Sequence, residues 1–241
     1  MALAEAATHA VIAVATGKAR SGERELFTQL LDRLGPGMLL LADRGFLSHD
    51  LWGRCLLTGV DLCWRTRSSN SLPVHELLPD GSYLSQLSDP VVANKRRDQV
   101  RKGVRRLVEV PGHTVRVVEY QVLDHPAVAT GAETYRLVTT LLDPDEAPAA
   151  ELAALYHRRW EIEATFNEIK TTQRGAGIVL RSKSPPMVLQ ELYALFLTHY
   201  AVRELMVRAS QDPDAELERL SFIRSLRLVR RHVTDQAAFS P

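Results

Sequence analysis

The sequence predicts an α/β fold, and three patterns within its 241 residues carry that prediction. Short apolar runs alternate with helically spaced segments over residues 1–67, the layout of strands and helices packed in layers. Residues 68–134 turn to Ser, Asp, Pro and Gly around Val-rich alternating stretches, which reads as a β-rich insertion. After it, one more strand pattern leads into three stretches with helical periodicity.

Taken in order, residues 9–16 are a Val-containing apolar run closed by Gly17, a strand pattern. Residues 22–34 carry Leu26, Leu30 and Leu31 at helical spacing, and Gly35-Pro36-Gly37 stops that helix. The uninterrupted apolar run 38–42 ends in Asp43-Arg44-Gly45-Phe46, the pattern of a buried strand with an acid at its carboxyl end. Residues 49–57 read as a helix and 60–65 as the next strand. Within the insertion, 107–110 and 115–122 alternate as strands, and 95–106 holds seven Lys or Arg among twelve residues. That cluster is either solvated surface or a phosphate-contacting patch. Residues 135–142 return to strand character, and Pro144 and Pro148 punctuate the approach to a long helix over 150–172, which Gly175 and Gly177 end. Arg181 and Lys183 follow in a loop, with Ser184 as N-cap and Pro185 opening a helix that runs to about Ala209. The tail, 215–233, is helical and carries Arg219, Arg224, Arg227, Arg230 and Arg231.

Composition narrows the class. Hydrophobic content of 45% and charged content of 24% are those of an ordinary soluble globular protein with length enough for a core. A net charge of +1 means that any affinity for nucleic acid must come from local patches. Cys55 and Cys63 provide no disulfide framework and have no zinc-spaced partners, so both are expected as buried, reduced thiols in a cytoplasmic protein. Residues 1–17 lack a basic n-region and a cleavage site, and the most apolar later stretch, 189–207, contains Gln190, Glu191, His199, Arg203 and Glu204. Neither a signal peptide nor a membrane span is expected.

On a helical wheel at about 100° per residue, Tyr156, Arg159, Glu163 and Lys170 fall within a sector of roughly 60°. Leu155, Ile162, Phe166 and Ile169 fill the neighbouring sector as a core-facing stripe. The ridge is either a solvated charged face with i,i+4 pairing or a site at the edge of a buried seam. Core packing is the expected role of Trp160, just outside the sector. A strand-end Asp43 and a helical Glu163 are the donors that metal-dependent phosphoryl transfer needs, because Mg²⁺ prefers carboxylate oxygens. Two such ions stabilise the attacking and leaving oxygens of an in-line displacement. An Asp at a turn or N-cap is the simpler account of Asp43 alone.

Tyr156-x2-Arg159-x3-Glu163-x6-Lys170 resembles the Y-R-E-K signature of the insertion-sequence-four family of bacterial DDE transposases. Leu39-Leu40-Leu41-Ala42-Asp43-Arg44-Gly45-Phe46 is similar to the strand bearing that family's second catalytic aspartate, and 68–134 to the insertion that splits its ribonuclease-H-like core. The resemblance implies a core in two parts, 1–67 and 135–210, with the insertion between them and a helical tail at 211–241. It implies DNA strand hydrolysis and strand transfer at transposon ends with two Mg²⁺ or Mn²⁺ ions. Asp43 and Glu163 would be the catalytic and metal-ligating acids. Tyr156, Arg159 and Lys170, with Arg181 and Lys183, would bind DNA. Implied partners are double-stranded DNA, both inverted-repeat ends and target, and a second copy in a synaptic complex. The chain would be cytoplasmic, on the nucleoid when bound.

One departure stands out. The family has a first catalytic Asp on an earlier strand, whereas the acids before Asp43 are Glu5, Glu23, Glu25 and Asp32, with Glu5 ahead of the first strand pattern. The expectation is a chain that starts inside the core and has little strand-transfer activity alone. The alternative is a remnant that binds ends or a partner and interferes with transposition; a generic ribonuclease-H-like nuclease is a third reading. For hairpin chemistry the family uses an aromatic of the insertion. Trp52, Trp64 and Trp160 all lie outside 68–134, which leaves Tyr83 and Tyr120 with nothing to choose between them.

Overall fold

The computed structural model describes residues 1–18, 20–102, 112–122, 133–175, 177, 179–211 and 217–233. The chain forms two compact units, one of Gly17–Arg159 and one of Met1–Thr16 with Trp160–Pro241. It opens with a hairpin of β1 (Ala2–Ala4) and β2 (Val11–Val14), which belongs to the second of these.

In the Gly17–Arg159 unit, α1 (Glu23–Thr28) and a 3₁₀ turn (Leu31–Arg33) precede β3 (Leu39–Ala42), α2 (His49–Leu56) and β4 (Asp61–Arg65). The expected helix over 22–34 is thus two short pieces. Ser48 caps α2 by accepting from the Leu51 amide at 3.3 Å. Gly59, at φ 77°, reverses the chain after α2 where an added Cβ would meet the Pro36 ring at 3.0 Å. β5 (Glu76–Leu77), β6 (Tyr83–Ser88), α3 (Pro90–Arg101), β7 (Gly112–Val122) and β8 (Glu133–Thr139) follow, then α4 (Ala149–His157). The expected strand at 107–110 lies outside the described residues.

The sheet runs β3-β4-β8-β7-β6-β5, with β3 and β4 parallel and the other pairings antiparallel. The strands of 68–134 therefore continue, through β8, the sheet that β3 and β4 begin. Strand alternation sorts the side chains. On one face Cys63, Val118, Tyr135 and Leu137 pack with Leu39 and Leu41 of β3 against Leu152 and Tyr156 of α4. On the other, Trp64 meets Trp52 of α2 edge-on at 5.3 Å and Phe27 of α1 at 6.4 Å. Both tryptophans are fully buried, worth about 5 kcal/mol each by area.

In the second unit, α5 (Glu161–Asn167) continues as a π-helical segment, Glu168–Gln173. α6 (Pro185–Ala209), a 3₁₀ turn (Leu217–Arg219) and α7 (Phe222–His232) complete it. The hairpin's Ala2 and Val11 pack with Ile169, Phe166, Leu195 and Phe196. Val202 and Met206 of α6 pack with Phe222 and Leu226 of α7. No helix among the described residues is long and apolar enough to cross a membrane.

Two expectations are corrected here. The helix over 150–172 does not keep one pitch: α4 passes into a 3₁₀ turn, Arg158–Trp160, then α5, then the π segment. A wheel at constant pitch cannot describe all four signature residues. Trp160, expected in the core, is 41% exposed.

Candidate active site

Asp43 follows directly on β3. The register that pairs Leu41 with Cys63 and Ala42 with Trp64 brings Arg65, the last residue of β4, level with it. Alternation turns the Asp43 side chain toward the face of Leu39 and Leu41, where α4 packs. The Arg44 amide donates to Asp43 Oδ1 at 2.7 Å, and the Phe46 amide to the Asp43 carbonyl at 3.0 Å, which folds 43–46 into a turn. Arg24 pins that turn through the Gly45 carbonyl at 2.8 Å.

Tyr156 of α4 is buried, and its hydroxyl donates to the Ala42 carbonyl at 3.2 Å. The tip of β3 is thus tied to the signature helix one residue before the acid. Burial pushes the Tyr156 phenol well above its ordinary pKa; Arg159 opposes that shift and the Asp43 carboxylate adds to it. The phenol therefore stays a neutral donor. The Arg159 guanidinium carbon lies 5.9 Å from the Tyr156 ring centre. Asp43, Tyr156 and Arg159 consequently form one constellation in the Gly17–Arg159 unit.

Arg65 belongs with them and was missed in the sequence. Its guanidinium carbon sits 3.8 Å over the Tyr135 ring. The only signal for it was its place at the end of a strand next to the acid-bearing one. Cys63, on the same face, is a buried thiol pushed up to about 12 by desolvation, as is Cys55, so neither is a nucleophile.

Glu163 and Lys170 lie in the other unit. Glu163 is exposed in the first turn of α5, which continues the 3₁₀ turn Arg158–Trp160 without a break. Lys170, also exposed, holds its ammonium 5.3 Å from the Phe166 ring. Arg181 and Lys183 are exposed in the loop before α6. The Arg181 and Ser182 amides each donate to the Glu191 carboxylate at 3.1 Å, which holds that loop to α6.

The candidate aromatics of the insertion are engaged. Tyr83 is buried and donates to Glu119 at 3.0 Å, while Tyr120 packs 5.5 Å from Tyr135. Of the basic run 95–106, Lys95, Arg101 and Lys102 are exposed, with Arg101 paired to Asp98 at 3.3 Å; Arg105 and Arg106 lie outside the described residues. Among the described residues no three His, Cys, Asp or Glu side chains gather closely enough to hold an ion. The donor that could contribute to one is Asp43, a half-buried carboxylate with one oxygen committed to the Arg44 amide, and oxygen donors of this kind suit a hard divalent cation.

Comparison with known proteins places this arrangement. The family described as "Transposase DDE domain" matches residues 1–200. Over 240 residues, 98% of the chain, the sequence is 29% identical to the transposase InsG for insertion sequence element IS4 of Escherichia coli strain K12. The chain spans about half the length of that relative, 50%. A family match over residues 1–200, more than four fifths of the chain, settles its membership: the chain belongs to the DDE transposases.

Proposed function

We propose that this chain carries out metal-dependent hydrolysis of DNA strands at transposon ends, followed by strand transfer, on a ribonuclease-H-like core. The observation that carries the reading is Asp43 at the tip of a parallel strand, tied by Tyr156 to a helix with the Y-R-E-K spacing. Asp43 and Glu163 serve as the carboxylate ligands, and two Mg²⁺ or Mn²⁺ ions, when bound, lower the barrier to in-line displacement at phosphorus. Arg159, Lys170, Arg181 and Lys183 bind backbone phosphates. Tyr156 adds a hydroxyl donor, which requires it to exchange the Ala42 carbonyl for a phosphate oxygen. The partners are the inverted-repeat ends, target DNA and a second copy in the synaptic complex. The working compartment is the cytoplasm, on the nucleoid.

Two measurements test this. In calorimetry, Glu163→Gln and Asp43→Asn each weaken Mn²⁺ binding by at least about tenfold, within the range for loss of a metal-site contact. Isotherms identical to wild type would remove that residue from the site. On duplex DNA, Arg159→Gln lowers the slope of log K against log salt by about 0.9, the value for one phosphate contact. An unchanged slope would make Arg159 purely structural.

A second reading, a chain that binds ends without cutting them, is favoured by where the earlier acids lie. Glu5 accepts from Thr8 at 2.5 Å in the β1–β2 turn, Glu23 and Glu25 open α1, and Asp32 pairs with Arg33 at 3.6 Å. Nicking of supercoiled plasmid by the chain with Mn²⁺ separates the two readings. Nicks that disappear in Asp43→Asn support catalysis, and binding without nicks supports the second reading.

A further inference from the structure

We infer that α7 carries a second DNA-backbone surface, a ridge of Arg224, Arg227 and Arg231 that tracks duplex phosphates outside the candidate active site. The inference rests on the DNA-acting reading proposed above. α7 lies beyond the residues 1–200 that match the family.

Residues 217–233 hold five arginines, Arg219, Arg224, Arg227, Arg230 and Arg231, against one acid, Glu218, a balance of +4 in a chain whose net charge is +1. The helix sorts these charges. Phe222 and Leu226 are buried against Val202 and Met206, with Val229 packed beside them. At about 100° per residue, Arg224, Arg227 and Arg231 fall within roughly 60° of one another, on the side opposite that seam. All three are exposed, and among the described residues none of them makes an ion pair or hydrogen bond. Arg230 differs: it points off the ridge and donates to the Gln173 carbonyl at 2.7 Å, anchoring α7 to the π segment.

Arg224 to Arg231 spans about 10 Å of helix, at 1.5 Å per residue. Duplex DNA presents one charge per about 1.7 Å of axis, so this ridge lies alongside about six phosphates. Arginine suits them, because its fork of donors matches phosphate oxygens. A membrane surface fits less well. An amphipathic helix that lies on lipid needs a free apolar face, and that of α7 is spent on α6.

The test is fluorescence anisotropy of the full chain on a duplex of arbitrary sequence, from 50 to 200 mM salt. Each of Arg224→Gln, Arg227→Gln and Arg231→Gln lowers the salt slope by about 0.9, and the triple variant by about 2.7. Over that fourfold salt range the wild type then loses about 40-fold more affinity than the triple variant, by the same relation. The triple Arg→Lys variant keeps the slope, which rules out misfolding as the cause. Arg208→Gln, whose arginine pairs with Glu204 at 2.9 Å, leaves it unchanged. A triple Gln variant with the wild-type slope overturns the ridge and leaves the transposase reading intact. A wild-type chain with no salt-dependent duplex binding overturns both. Loss of binding to anionic phosphatidylglycerol vesicles with duplex binding unchanged also overturns the proposal, in favour of a lipid partner.

Discussion

Arg116→Met will cost the Gly17–Arg159 unit about 3–5 kcal/mol, because it removes a fully buried guanidinium and strands the polar groups that it satisfies. Arg116 is fully buried on β7. Its guanidinium meets Asp80 Oδ2 at 2.5 Å and donates to Ser82 Oγ at 2.8 Å. It also donates to the carbonyls of Leu141, Asp143 and Ala147 at 3.3, 3.2 and 2.7 Å. Those carbonyls line the segment that leads into α4, and the Ala149 amide at the start of α4 donates to Asp80 at 2.9 Å. One side chain thus fixes the entry to the helix whose Tyr156 holds the tip of β3. Burial works against the charge on Asp80, but the Ser82 hydroxyl, the Ala149 and Ser82 amides and Arg116 together hold its carboxyl below the ordinary range.

A loss of about 4 kcal/mol lowers the melting temperature by about 8–16 °C for a chain of this size. Trp52 and Trp64, both fully buried in this unit, report the transition by fluorescence. Adding Asp80→Asn should recover less than about 1 kcal/mol, because the Asp80 carboxylate reaches solvent and keeps its bonds from Ser82 and the Ala149 amide. A fall of less than 2 °C for Arg116→Met would mean that the network contributes far less than its buried hydrogen bonds imply.

This network also marks where sequence reading stops. Arg116 and Asp80 are 36 positions apart, and in a strand pattern Arg116 reads as an outward polar residue between Val115 and Val117. By contrast, the unbroken apolar run of β3 is legible as a strand, but not as the buried one it implies: β3 forms an edge of the sheet and is half-buried throughout, paired only with β4 among the described residues. β6 escaped because Ser85 occupies an inward position among Tyr83 and Leu87, which hides the period of two. β1, three residues of Ala-Leu-Ala, has no β-branched side chain to signal a strand, so Glu5 was placed before the first strand rather than after one.

The spacing of Tyr156, Arg159, Glu163 and Lys170 can be read from the sequence, but the change of helical pitch between them cannot. Pitch is set by what the backbone packs against, and a wheel contains no packing. The same limit applied to 189–207, where His199 and Arg203 were read only as reasons against a membrane span. Being four apart, they share one face of α6, and that face meets Glu168.

Glu168→Ala is the second large effect, a loss of about 3–5 kcal/mol from the other unit, the penalty for breaking a buried ion pair. Glu168 Oε2 lies 3.0 Å from Nε2 of the buried His199, and Oε1 accepts from the Arg203 guanidinium. Arg203 in turn lies 3.2 Å from His9 Nδ1, and His9 Nε2 lies 2.8 Å from Glu161. Hairpin, α5, π segment and α6 are therefore joined through two carboxylates, Glu168 and Glu161. His199 and Arg203 both rest on Phe222 of α7, at 5.0 and 5.2 Å. Glu168→Gln keeps an acceptor and should cost less than Glu168→Ala. Burial raises the Glu168 carboxyl, but His199 and Arg203 more than offset it, leaving the group below its ordinary pKa in the fold. A carboxyl shifted this way adds stability at every pH above its ordinary value of about 4.3, and the addition is lost as pH falls through the lower, folded value. Denaturation curves of wild type and Glu168→Ala should thus keep a constant gap above pH of about 5 and converge only in more acid solution. Hydrogen exchange at the amides of Glu168–Gln173 should speed up with the loss, because that segment is what the carboxylate holds. Protection equal to wild type in both variants would show that the π segment is held by Gln173, through the Leu195 carbonyl at 2.8 Å, rather than by Glu168.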